Sequence, residues 1–323
     1  MSAPYPPLRI VRPQQIRLEE DGPRWLIEPL WPHSAVGIVG GQPKSWKSWV
    51  ALDLAVSVAS ATPCLGRYRV GHHGPALVYL AEDALGDVRA RLGCLCASRG
   101  LDLERLDLHI IAEPVLRLDC ERDRVRLREA IGRLCPRVLV LDPLVRLHRL
   151  DENNSQEVSE LLGYLRELQR AHEVSIVLVH HTSKRAHARH GQALRGSSDL
   201  HAWTDVGLYL TWKGDRLHLT PELRTAQAPD AVELRLVTDD PAATHVEVRG
   251  ATAGAEPPSE QTLGQRVLRS LERHAPLAVR RQTLREELRV NNAKLGQALD
   301  DLERLGLAVR SAEGWLLARR GAA

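Results

Sequence analysis

The chain contains no phenylalanine, one methionine and five lysines against 39 arginines in 323 residues. It also has no stretch of about 18 apolar residues, so the sequence offers nothing to span a membrane. The start, Met1 to Pro13, is Pro-rich with scattered Arg and lacks the apolar run of a signal peptide. The five cysteines, Cys64, Cys94, Cys96, Cys120 and Cys135, are odd in number and include no C-x-x-C pair. They fit reduced thiols in a cytoplasmic protein rather than a disulfide framework. The net charge of +3 is too small to argue from. Its distribution says more: twelve Lys/Arg and seven Asp/Glu lie from Leu263 onward, a net of +5, leaving −2 for the rest. A basic C-terminal part is a hint toward nucleic acid.

Where lysine is this rare, a compact ammonium has a reason to be present that a guanidinium fork does not meet. Two of the five, Lys44 and Lys47, fall within four residues. Before them, Ala35–Val39 is a compact apolar run ending in Gly40-Gly41, which reads as a buried strand; after them, Ser48–Ser60 reads as a buried helix. Further strands are expected at 76–80, 108–111, 138–141 and 174–179. Helices are expected at 87–99, 122–134 and 156–172. Apolar strands alternating with helices imply a mostly parallel sheet covered on both faces, an α/β fold. The closely spaced runs 206–210, 217–219, 232–237 and 245–248 suggest antiparallel strands added at one edge. The organisation is then an irregular leader (1–23), an α/β domain (24–250), a linker of linker-like composition (251–262) and a C-terminal domain (263–323). Three helices and a hairpin in that last segment follow the plan of a winged helix.

Strand, then Gly41-Gln42-Pro43-Lys44-Ser45-Trp46-Lys47-Ser48-Trp49, then helix, is the context that a phosphate-binding loop needs. Backbone amides and the helix N-terminus face the phosphates. Lys47 would sit on the β- and γ-phosphates of ATP and Ser48 would ligate Mg²⁺. One residue departs from the pattern: Trp46 stands where a glycine is usual. If φ must be positive there, the side chain costs about 1–2 kcal/mol. The indole would otherwise cover the phosphates or the base. A vestigial loop is the alternative. Asp142 ends the strand 138–141, where a carboxylate holds Mg²⁺, in part through water. Glu82 follows the strand 76–80, where a carboxylate can polarise the attacking water. Either acid could instead be a loop acid or a helix cap, and Asp83 is the better capping residue for the helix after it.

The segments GQPKSWKSW, LAEDALGDVRARL, LVLDPLVRLHRLDENN, VLVHHTSK and ALRGSS occur in this order. As a set, covering about Trp25 to Val237, they resemble the RecA-like ATPases grouped with plasmid replicative helicases of the RepA type. The resemblance implies a RecA-like sheet and a homo-oligomeric ring, commonly six subunits, with ATP between neighbours. It implies phosphate and Mg²⁺ binding by Lys47 and Ser48, catalysis by Glu82, a metal-holding Asp142, and a γ-phosphate sensor at His181 that relays to the DNA loop following it. In that family an arginine acting on a neighbour's ATP follows the RGSS motif by about ten residues. Here that position holds Asp205, so Arg224, two residues after Glu222, is the first substitute and Arg195 the second.

His180, His181, His187 and His190 invite a metal reading, but Lys184, Arg185 and Arg189 are interleaved and no Cys or acid is spaced with them. Thr182–Gln192 reads better as a basic loop. In a ring it would face the channel and touch single-stranded DNA with Lys184, Arg185 and Arg189; a merely solvated loop is the alternative. In the C-terminal domain, Asn292 and Lys294 lie on the candidate recognition helix, while Arg280, Arg281 and Arg285 could hold duplex phosphates. Winged helices also serve for protein contacts alone. Two functions remain open on the sequence: an ATP-driven helicase or translocase, and an ATP-switched DNA-binding factor that hydrolyses slowly and does not unwind.

Overall fold

The computed structural model describes residues 10–15, 24–150, 155–181 and 198–250 and, toward the C-terminus, 263–318 apart from 276, 289, 291, 305 and 312. The chain forms two compact units, Met1–Ala255 and Glu256–Ala323.

In the first unit, β1 (Trp25–Ile27) and β2 (Trp31–Pro32) pair as a small antiparallel ribbon. Then β3 (Val36–Gly41), α1 (Lys47–Ser60), β4 (Ala76–Leu80), α2 (Leu85–Ala97), β5 (Leu108–Ile110), α3 (Glu121–Leu134), β6 (Val138–Asp142), α4 (Ser155–His172) and β7 (Ser175–His181) alternate. A short helix α5 (Ser198–Trp203) leads to β8 (Val206–Lys213), β9 (Arg216–Leu223), β10 (Val232–Val237) and β11 (His245–Val248). Among the described residues these strands make a nine-stranded sheet in the order β11-β10-β9-β8-β3-β7-β6-β4-β5.

Each central strand feeds two cores because side chains alternate across a strand. Val138 and Val140 pack on one face with Val78, Val177 and the apolar side of α1 and α2. Leu139 and Leu141 pack on the other with Leu77, Ile176, Leu178 and residues of α3 and α4. Continuous apolar strands are therefore what a doubly covered RecA-like sheet requires.

The runs after β7 differ from the expectation in one strand. β8 is parallel to β3, with Gly37 opposite Val206 and Gly41 opposite Leu210; only β9, β10 and β11 run antiparallel to their neighbours. Helix α5 precedes β8, so the chain returns to the start of the sheet by a crossover instead of a hairpin. The β8–β9 turn is a true hairpin, made at Gly214 with φ +64°.

The second unit has α6 (Leu263–His274), α7 (Arg281–Leu288), α8 (Asn292–Arg304) and a hairpin of β12 (Ala308–Arg310) and β13 (Trp315–Leu317). Val267, Leu271, Leu284, Leu295, Leu299 and Trp315 are among the residues of its own core. This is a winged-like arrangement.

Among the polar groups buried in the first unit, one acid joins two helices. Asp53 on α1 is fully buried, ion-paired to Arg99, and accepts a hydrogen bond from the Leu65 amide at 2.7 Å. The pair ties α1 to the end of α2. Removing one partner of a buried pair strands the other's charge, at a cost of about 3–5 kcal/mol. Arg99→Ala is expected to lose stability on that scale in chemical denaturation. A change under about 1 kcal/mol would mean that the Leu65 amide suffices to hold Asp53.

Candidate nucleotide site

β3, β7, β6 and β4 are parallel neighbours, so their C-terminal ends lie along one edge of the sheet. That edge collects the residues on which the sequence places phosphate and metal chemistry. Gly41 ends β3, His181 ends β7 directly opposite Gly41, Asp142 ends β6, and Glu82 follows β4 by two residues. The Ala81 amide donates to the Asp142 carbonyl at 2.7 Å, which pins the loop carrying Glu82 to the end of β6.

The loop 41–48 is tightly built. A Cβ on Gly41 would lie 2.6 Å from Ser45 Oγ and 2.8 Å from the Leu210 carbonyl, so this position has room only for glycine. Gln42, Pro43 and Lys44 are exposed, Ser45 and Lys47 are buried, and Trp46, Ser48 and Trp49 are half-buried. The Gln42 carbonyl accepts from Ser45 Oγ at 2.7 Å and from Lys47 Nζ at 2.8 Å. Burial lowers the Lys47 pKa, and the charges of Asp142 and Glu82 oppose that fall.

Trp46 has φ +58° and ψ +25°, the left-handed conformation for which the pattern keeps a glycine. It is the residue that starts α1, and no side chain caps the helix there. The first amides of α1 are thereby left for an incoming anion. The indole packs edge-on against Trp212 of β8, with ring centroids 5.2 Å apart, and against the core on that side of the sheet. An aromatic pair contributes about 0.5–1.5 kcal/mol beyond its buried area, which offsets most of the left-handed cost of about 1–2 kcal/mol. Lys44 is also left-handed, at φ +63°.

Asp142 is buried, and its Oδ2 has no hydrogen-bond partner. Burial pushes its carboxyl up to about 6. The nearby charges of Asp83 and Glu82 act in the same direction, while the Ser48 hydroxyl bond and Lys47 oppose it. An orphaned buried carboxylate oxygen beside a hydroxyl is a donor set that fits hydrated Mg²⁺. Glu82 is exposed, and Arg146 Nε reaches its Oε1 at 2.7 Å. Asp83 does not cap α2; both its oxygens are taken by Arg91, at 2.7 and 2.9 Å. Arg146 was not singled out from the sequence, where nothing separates it from the other arginines.

The arginine candidates fare differently. Arg195 lies outside the described residues, as do Lys184, Arg185 and Arg189. Arg224 lies one residue past β9 and is held by Asp205 and the Ala202 carbonyl, whereas Glu222 contacts His201. Asp205 Oδ2 in turn accepts from the Val36 amide at 3.2 Å and from Arg166 at 2.6 Å. Arg224 therefore stands beside the start of β3, at the opposite end of the sheet from this chain's own loop 41–48.

In the second unit, Arg280, Arg281 and Asn292 are exposed and Arg285 is half-buried. Arg281 donates to the Asn292 carbonyl at 2.6 Å. Lys294 is on α8, with its side chain outside the described residues.

The raised Asp142 pKa has a definite sign. Between pH 4 and 6 the folded chain holds a proton that the unfolded chain has released, so this group's stabilisation falls as pH rises through that window. At pH 8 folding must bury the charge. Asp142→Asn is expected to stabilise the nucleotide-free protein at pH 8 by about 2–3 kcal/mol. That gain should disappear near pH 4, and Mg²⁺-dependent nucleotide binding should be lost. Thermal melts at both pH values, with and without Mg-ATP, check all three; a destabilised variant at pH 8 would contradict the unpaired-carboxylate reading.

A family model described as AAA domain matches residues 6–187, more than half of the chain. No curated protein matches. Among solved structures, the RadB recombinase superposes with a TM-score of 0.50 at 16% identity, covering 67% of this chain and 90% of its own. A KaiC-like protein from the hyperthermophilic archaeon Pyrococcus horikoshii OT3 gives a TM-score of 0.48 at 15% identity, covering 69% of this chain and 93% of its own. Among the described residues, no helix is long and apolar enough to cross a membrane. With a RecA-like sheet and a phosphate-loop geometry at its edge, the chain belongs to the AAA domain family of P-loop ATPases.

Proposed function

We propose that the chain hydrolyses Mg-ATP and uses the cycle to move on or unwind DNA as a ring, in the manner of the RepA-type helicases it resembles. The observation that carries the ATPase part is the convergence of Lys47, Ser48 and the partnerless Asp142 Oδ2 at one sheet edge, with Glu82 beside them. Lys47 would leave the Gln42 carbonyl for the β- and γ-phosphates, and the first amides of α1 would hold the same oxygens. Ser48 and Asp142 would hold Mg²⁺, and the chemistry it would supply there is neutralisation of charge on the phosphate oxygens. Glu82 would take the proton of the attacking water, and His181, level with Gly41, would read the γ-phosphate.

Among Lys47, Ser48, Glu82, Asp142 and His181 no group puts a cation on the far side of the γ-phosphate, which supports a neighbouring subunit; six members is what the resemblance implies. Arg224 cannot serve its own site from the other end of the sheet; it can serve only a neighbour's. Its exchange is cheap, because Arg166 still pairs with Asp205 when Arg224 leaves. Arg195 is the second candidate. DNA is assigned to Lys184, Arg185 and Arg189 for a single strand in the channel. Duplex contact is assigned to Arg280, Arg281, Arg285, Asn292 and Lys294 of the winged-like unit, whose net charge is positive.

The second reading is an ATP-switched DNA-binding factor with slow turnover. The observation favouring it is Trp46, a bulky left-handed residue locked against Trp212 in a loop that elsewhere relies on glycine.

Lys47→Ala is expected to abolish Mg-ATP binding in calorimetry; unchanged affinity would remove the phosphate-loop assignment. A forked duplex separates the two readings, since ATP-dependent strand displacement supports the motor, whereas ATP-dependent DNA binding without displacement supports the switch.

Removing 263–323 is expected to leave ATP binding intact, since the first unit has its own core. Duplex affinity should fall and its salt dependence become shallower. Equal DNA affinity with and without this unit would make it a protein-contact module.

A further inference from the structure

We propose that Arg146 is a positioning residue for Glu82, fixing the carboxylate so that one oxygen is held and the other is aimed at the water. This inference rests on the reading of Glu82 as the base. The pair joins a residue two positions past β4 to one four positions past β6, and both backbones are anchored at the end of β6. On one side, Ala81 is bonded to the end of β6 at Asp142. On the other, Arg146 sits in a single 3-10 turn, Leu144–Arg146, whose N–H bonds back to the Pro143 carbonyl at 3.1 Å. The Arg146 carbonyl also accepts from Arg117 Nη1 at 2.7 Å. The guanidinium therefore reaches Glu82 from a braced backbone.

Stability does not account for the contact. Its side chains are 61% and 47% exposed, and an exposed pair of this kind adds little to folding. The geometry does account for it as orientation. Arg146 engages Oε1 through Nε, and Glu82 Oε2 has no protein partner among the described residues. The neighbouring acid cannot substitute, because Arg91 occupies both oxygens of Asp83. A base whose rotamer is set by a third group is the general arrangement of an activated water or nucleophile. The charges facing Glu82 are then Lys47, which feels it directly, and Arg146, one on the phosphate side and one behind.

The test is a double-mutant cycle on the full chain, reading steady-state ATPase and nucleotide affinity. Glu82→Gln is expected to lower kcat by roughly 100-fold or more with ATP binding retained. Arg146→Ala should lower kcat about 10-fold while KM, nucleotide affinity and melting temperature stay close to those of the parent. Arg146→Lys, which keeps the charge without the planar fork, should recover part of the loss. If Arg146 acts through Glu82, the double variant will be no slower than Glu82→Gln alone, since two groups acting as one unit are not additive. Parental turnover in Glu82→Gln would remove the base assignment and the proposal with it. A dead Glu82→Gln beside a parental Arg146→Ala, or losses that multiply in the double variant, would overturn the positioning role and leave the base in place. An Arg146→Ala that melts early and is not improved by Lys would make the contact structural.

Discussion

The site depends on a backbone constraint: the chain must leave β3 at Gly41 and begin α1 at Lys47 with its amides turned inward. That turn places Lys44 and Trp46 in the left-handed region. Glycine would adopt it without cost, and tryptophan cannot. The compensation comes from outside the loop, in Trp212 on the neighbouring strand. The loop's shape is therefore shared between a local turn and a strand more than 160 residues away, and β8 has to lie beside β3 for that contact to exist. Its parallel pairing with β3, level by level from Gly37 to Gly41, supplies it.

Around that turn Glu82 and Asp83 are each paired with an arginine, whereas Lys47 and Asp142 are buried. Lys47 is buried and its pKa lowered; Asp142 is buried and its pKa raised. Each is held away from its comfortable ionisation state chiefly by loss of water, and each would be relieved by a ligand of opposite charge, phosphate for the one and a divalent cation for the other. A protein optimised only for stability would replace such groups. Their retention at the C-terminal edge of a parallel sheet, where α/β folds bind ligands, is consistent with a site built for an anion carrying its own metal.

Much of this was legible beforehand. The elements from β3 to β7 follow from apolar runs and helical spacing because both sheet faces are covered, so their strands read as unbroken apolar segments. Gly41 to Ser48 was legible because a strand, a glycine-bearing loop with two rare lysines and a buried helix follow one another directly. What was not legible depends on contacts between distant segments. The direction of β8 hinges on the crossover before it, whereas close spacing alone suggested an antiparallel strand at one edge. Asp83 looked like a cap because it precedes a helix, yet Arg91 two turns into that helix takes its carboxylate. Arg146 carried no signal at all, being one arginine among 39.

The position of Arg224 shows why sheet polarity matters more than sequence distance. It follows β9, an antiparallel strand, and so comes to rest beside Asp205, at the start of β8 and β3, instead of with the phosphate loop. The tip of the same hairpin, Lys213 to Arg216, lies at the other end, beyond Leu210, which is level with Gly41. A single hairpin thus presents basic residues at both ends of the sheet, one set on the nucleotide edge and one on the opposite edge. If subunits stack so that the start of one sheet meets the phosphate edge of the next, Arg224 approaches a neighbour's γ-phosphate and Asp205 is left to Arg166. If they meet side by side along the nucleotide edge, the hairpin tip is the nearer source of positive charge. Among the described residues the hairpin thus offers a neighbouring subunit two sources of positive charge, and sheet polarity alone sets them at opposite edges.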